Sequence, residues 1–146
     1  PSRQGTAMSD VKFFGLTNKH NLPLSKAAIA GDFFFSFGDG ERFDPKNPKP
    51  AMRRLFQRLG RLLRRHDLDF TDVAKTTVLL SPLGAFRDYS AVYAEFFRKP
   101  YPCRTTIPVA CDTPFVEIDV IAYKKGLSEN RRLAAKKSRA ASGSGR

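Results

Sequence analysis

Tryptophan is absent from this chain of 146 residues, and cysteine, histidine and methionine occur only twice each. So few thiols and imidazoles leave little for a metal to hold. His20 and His66 stand alone, and Cys103 and Cys111 flank a turn without the paired spacing of a zinc site. No metal centre is expected. The two cysteines read as reduced thiols of a cytosolic-type interior. Long apolar runs are missing as well. None approaches the roughly 18 residues of a membrane span, and the longest, around residues 32–37, suits a buried strand. No membrane partner is expected.

Acid is the scarcer charge. Asp and Glu number 14 against 26 Lys and Arg, a formal net charge of +12. The excess gathers in two places. After Tyr123 come Lys124, Lys125, Arg131, Arg132, Lys136, Lys137, Arg139 and Arg146, with Glu129 as the lone acid. Arg53, Arg54, Arg58, Arg61, Arg64 and Arg65 fill one face of a helical stretch that holds no acid, so it forgoes the usual i,i+4 ion pairs. Two readings stand for both runs. They are solvated surface, or they dock onto a polyanion such as RNA or an acidic protein. The second reading makes Arg53, Arg54, Arg58, Arg61, Arg131, Arg132, Lys136 and Lys137 the contacts.

The length fits one domain. Residues 1–10 read as a flexible arm, 11–125 as the domain and 126–146 as a basic tail. Residues 1–7 carry no pattern. Their lone Arg3 and lack of acids fit a mitochondrial remnant, and Met8 fits a native start, so cytoplasm or mitochondrion is expected. Strands are predicted at 11–16, 25–30, 33–37 and 73–80 from β-branched and aromatic content. Gly31-Asp32 is a hairpin signal, and Gly38-Asp39-Gly40 breaks the third strand. Met52, Leu55, Phe56, Leu59, Leu62 and Leu63 recur at helical spacing, with Pro50 or its neighbour in the first turn. A second helix is predicted at 84–97, with Phe86, Tyr89, Val92, Tyr93, Phe96 and Phe97 on one stripe. The order β-β-β-α-β-α-β-β implies an α+β fold: one mixed sheet with both helices on one face. Strands apolar on both sides imply that the second face is covered by oligomerisation.

Residues 100–123 hold the candidate chemistry. Arg104 heads the run Thr105-Thr106-Ile107, a turn follows at 111–114, and Glu117 and Asp119 share one face of the last strand. An arginine entering one strand and a carboxylate on its neighbour suit a small anion. Arg104 also reads as a plain ion-pair partner of Glu117 or Asp119.

This stretch resembles the C-terminal signature of the Rid (YjgF) family, small trimeric enzymes that hydrolyse reactive imines and enamines. The matching residues are Pro102-Cys103-Arg104-Thr105 and Val116-Glu117-Ile118-Asp119-Val120-Ile121-Ala122. Ala27, Ala30, Gly31, Phe35, Ser36 and Gly38 are similar to the family's early strand pair, and residues 72–78 and 86–97 to its later strand and second helix. The resemblance implies a chorismate-mutase-like fold and a homotrimer with a central barrel and three clefts between subunits. It implies that Arg104 grips a substrate carboxylate by two parallel hydrogen bonds. Glu117 would position or activate water, and Thr106, Phe37, Gly38 and Leu24 would line the cleft. The reaction would turn a small 2-imino acid into a 2-keto acid and ammonia, with no metal or organic cofactor.

Two departures are visible. Leu24 stands where many active members have tyrosine, and Phe37-Gly38-Asp39 replaces Ser-Gly-Gln. Asp39 is expected to repel a carboxylate substrate or to pair with Arg104. The alternative function is a non-catalytic subunit of an RNA–protein assembly, docked through the basic surfaces. Ribonuclease activity ranks last, since no pair of histidines or metal-binding acids carries it.

Overall fold

A computed structural model describes residues 11–16 and 22–143. Seven strands form one sheet: β1 (Val11–Leu16), β2 (Ser25–Ala30), β3 (Phe33–Ser36), β4 (Asp39–Arg42), β5 (Val73–Ser81), β6 (Cys103–Pro108) and β7 (Phe115–Tyr123). The spatial order is β1-β2-β3-β7-β5-β6, with β4 also on β7. Only β5 and β6 run parallel, joined by the crossover through helix α2 (Phe86–Phe96). The first helix, α1, spans Lys49–Arg64, and Pro50 lies in its first turn. The arm at residues 1–10 and His20 lie outside the described residues.

Three features differ from the sequence reading. Gly38-Asp39-Gly40 does not end the pairing: the chain turns out at Phe37-Gly38 and resumes as β4, with Gly40 opposite Glu117. β6 and β7 are not neighbours, because β5 lies between them. The basic tail, for which the sequence reading gave no element, forms a third helix over Leu127–Gly143, α3.

The core lies on the helix side of the sheet. Met52, Leu55, Phe56, Leu59 and Leu63 of α1 are buried, as are Tyr89, Val92 and Tyr93 of α2. They meet Ile29, Phe34, Val78, Leu80, Val116, Ile118, Val120 and Ala122. Phe56 lies within 6.0 Å, centroid to centroid, of Tyr89, Tyr93, Phe96 and Phe97. The opposite face stays open in a single chain. There Phe13, Phe33, Phe35, Ile107 and Tyr123 are exposed, Phe13 by 65%.

The start of α3 is docked. Leu127 is buried, Gly126 N donates to Asp32 Oδ1 at 2.9 Å, and Arg131 stacks on Phe14 at 4.8 Å. Arg131 Nη1 also lies 3.1 Å from Nδ1 of His66, which packs against Phe14 and Phe34. Burial lowers the His66 pKa, and Arg131 and Arg65 lower it further against the opposing pull of Asp67. The folded protein thus holds His66 neutral. Its contribution to stability is present above the ordinary value near 6.5 and is lost as pH falls through the depressed folded value. Acidification from pH 7.5 to 5 is expected to loosen α3. Hydrogen exchange of the α3 amides would show it, and His66→Phe should flatten that pH dependence.

Candidate active site

Arg104 sits on β6, an edge strand, opposite Thr76 of β5, which in turn faces Val120 of β7. Residues in register share a face. Thr76 and Val120 are buried under the helices, so Arg104 also points into the layer between sheet and α2. Its Nη2 donates to Ser90 Oγ at 3.1 Å. The guanidinium lies 4.9 Å from the ring centre of Tyr93, 5.1 Å from Phe86 and 5.8 Å from Tyr89. These contacts hold the cation while using one of its five donors on a side chain. Beside it opens a cavity of about 350 Å³, lined by Ser90, Tyr93, Ala94, Tyr101, Pro102 and Arg104. Thr106, two residues on, shares the Arg104 face. Its Oγ1 is buried with no hydrogen-bond partner among the described residues, as is the Tyr89 hydroxyl. Burial, with Tyr93 nearby, pushes the Tyr89 phenol far up.

Glu117 lies on the other face. Val116, Ile118 and Val120 of β7 are buried against the helices, while Glu117 and Asp119 alternate outward. Its carboxyl rests against Gly38: a Cβ built there would overlap Glu117 Oε1. The pKa is raised, first by burial and then by Asp119 and Asp39. A carboxyl so placed holds a proton more readily than a free glutamate does. Arg104 and Glu117 therefore do not form an ion pair within one chain, since they face opposite sides of the sheet.

The remaining candidates are spread out. Leu24 precedes β2 and is 36% exposed. Phe37 lines a groove of about 240 Å³ with Asp39, Arg58 and Arg61, away from Arg104. Asp39 does not reach Arg104; it pairs with Arg58 at 2.9 Å. The acids missing from α1 are supplied from elsewhere. Arg53 makes a two-pronged contact to Glu95 of α2, both bonds 2.7 Å, and Arg54 reaches Glu41 of β4 at 3.0 Å. Arg132 and Lys136 border a hollow of about 680 Å³ at the start of α3, and Lys137 is exposed. Much of the basic helix face is thus engaged inside the chain. Ser90 and Tyr101 were not singled out by the sequence reading. Ser90 had a signal, because it lies one residue after Tyr89 and four after Phe86, at the edge of the α2 stripe.

A family model described as Endoribonuclease L-PSP matches residues 22–124. The chain belongs to the Rid (YjgF) family. A RutC family protein of Pyrococcus horikoshii is 31% identical over 127 residues, spanning 81% of this chain and all of that protein. The human 2-iminobutanoate/2-iminopropanoate deaminase is 30% identical over 78 residues, which cover 52% of this chain and 57% of its own length. Among solved structures, a putative endoribonuclease of Thermotoga maritima superposes with a TM-score of 0.63 at 26% identity, covering 74% of this chain and 91% of that one. The mixed sheet with its helices is thus that of the Rid proteins. No helix among the described residues is long and apolar enough to cross a membrane.

Proposed function

We propose that this Rid protein hydrolyses small 2-imino or enamino acids to 2-keto acids and ammonia. Arg104 carries the reading. It is a buried-side guanidinium with spare donors, held at the wall of a cavity of about 350 Å³. Two parallel N–H donors fit a carboxylate, and their planar fork fixes the substrate's orientation. Tyr93, Tyr101 and Pro102 offer the apolar surface that a short side chain needs. The reaction is the one for which the human relative is named.

The step balances simply. Glu117 takes a proton from water as the oxygen adds to the imine carbon. Glu117 returns that proton to nitrogen to give the carbinolamine, then carries the hydroxyl proton to the same nitrogen as the C–N bond breaks, so that ammonia leaves and the keto carbonyl forms. The raised pKa of Glu117 suits these transfers. Arg104 and Glu117 meet only if different copies supply them, so the site is a cleft between subunits of a homotrimer. The exposed Phe13, Phe33, Phe35 and Tyr123 support such an assembly, because an open apolar face needs a cover.

The test is a coupled assay. An amino-acid oxidase generates 2-iminobutanoate, and semicarbazide traps what survives. The protein is expected to lower trapping and speed ammonia release, with light scattering giving the mass of three copies. Unchanged trapping by an intact oligomer would end this reading.

A further inference from the structure

We propose that Arg58 is a positioning residue for Glu117, acting from α1 through Asp39 and β4. Its catalytic meaning rests on the deaminase reading; its geometry does not.

β3 and β4 both run along β7, and the chain between them turns out at Phe37-Gly38. The Glu117 carboxyl occupies the space that a Cβ of Gly38 would take. Where Gly38 sits therefore sets the room open to that carboxyl. Arg58 grips the three residues that follow. Its Nε and Nη2 donate to Asp39 at 2.9 and 3.3 Å, Nη2 to the Gly40 carbonyl at 2.9 Å, and Nη1 to Glu41 at 2.5 Å. One guanidinium thus spans three consecutive β4 residues, and Gly40 is the register partner of Glu117. A planar fork can do this where a lysine ammonium cannot.

Charge adds to position. The charged groups near Glu117 are Asp119 on its own strand, Asp39 and Glu41 on β4, and Lys75 of β5, which acts on Asp119. Arg58 and Arg54 neutralise the β4 acids from α1. Asp39 favours the protonated form of Glu117, and Arg58 offsets that influence. Removing Arg58 leaves Asp39 uncompensated. Removing the Asp39 charge frees Glu117 of one repulsion. Both changes break the same ion pair, yet they push the Glu117 proton in opposite directions.

The experiment is carboxyl NMR titration of the whole chain with ¹³C-labelled glutamate, on wild type, Arg58→Gln, Asp39→Asn and Arg58→Lys. Arg58→Gln is expected to raise the Glu117 midpoint by about half a pH unit, and Asp39→Asn to lower it by a similar amount. Arg58→Lys keeps the charge without the fork, so its midpoint should stay near wild type while kcat falls several-fold; an unchanged kcat in an active enzyme overturns the positioning role. The acid limb of the deaminase rate should move with each midpoint. A merely structural role would shift Arg58→Gln and Asp39→Asn the same way. Shifts of one sign, or none, overturn the proposal. Should Arg58→Gln not fold, an Asp39→Asn midpoint at or above that of wild type overturns it alone. If the midpoints move as expected while no ammonia is released, the deaminase reading fails and the control of Glu117 by Arg58 stands.

Discussion

Arg104→Ala is expected to lower kcat/KM for 2-iminobutanoate by roughly a thousandfold. Losing one partner of a desolvated, two-pronged charge contact costs about 3–5 kcal/mol, which is roughly two to four orders of magnitude in transition-state stabilisation. Part of the loss should appear in KM, because the carboxylate is bound in the ground state, and part in kcat, because misorientation slows the addition of water. Stability should fall by only about 1 kcal/mol, through the lost stacking on Phe86, Tyr89 and Tyr93. Arg104→Lys keeps the charge without the fork and should recover only a small part of the rate. Steady-state kinetics beside a thermal melt separates these effects. An alanine variant within tenfold of wild type would assign Arg104 to packing.

Gly38→Ala should uncouple stability from activity. The new methyl group would collide with the end of the Glu117 side chain. That end can rotate away, so the folded protein should lose no more than about 1 kcal/mol. The carboxyl, however, leaves the place from which it would serve the water. A displacement of about 1 Å costs on the order of a hundredfold in rate. Gly40 offers a contrast. A Cβ there meets the Phe115 ring at 2.6 Å, with no part of Glu117 among its nearest atoms. Gly40→Ala should therefore cost stability more than activity. Melting curves and ammonia release measured on both variants check this, and equal activity in Gly38→Ala and wild type would remove Glu117 from the reaction.

The helices were legible because their signal is local. Leu55, Phe56, Leu59 and Leu63 repeat at the period of one helix and are buried on one side. The hairpin at Gly31-Asp32 was legible for the same reason. β4 was not, since Asp39-Gly40-Glu41-Arg42 has the composition of a turn and becomes a strand only through β7, some 75 residues on. The separation of β6 from β7 was hidden as well. The short link at residues 109–114 reads as a hairpin, but β5 inserts between the two strands, parallel to β6 and antiparallel to β7. Arg104 and Glu117 could be picked out by residue type and motif. That they face opposite sides of the sheet depends on register across β5, which a single sequence does not reveal. The partners of Arg53, Arg54 and Arg58 were missed because Glu95, Glu41 and Asp39 lie far outside the helix that needs them.

The placement of β7 bears on how the molecule is made. This strand pairs with β3, β4 and β5, yet it is the last strand among the described residues. Until it exists, β1–β3 and β5–β6 share no backbone ladder. A chain not yet extended through β7 therefore leaves the inner edges of β3 and β5 unpaired. Closure brings together segments up to 90 positions apart, Phe33 with Tyr123, and such distant pairings are slow to form. Synthesis thus delivers the central plank after the strands that it joins.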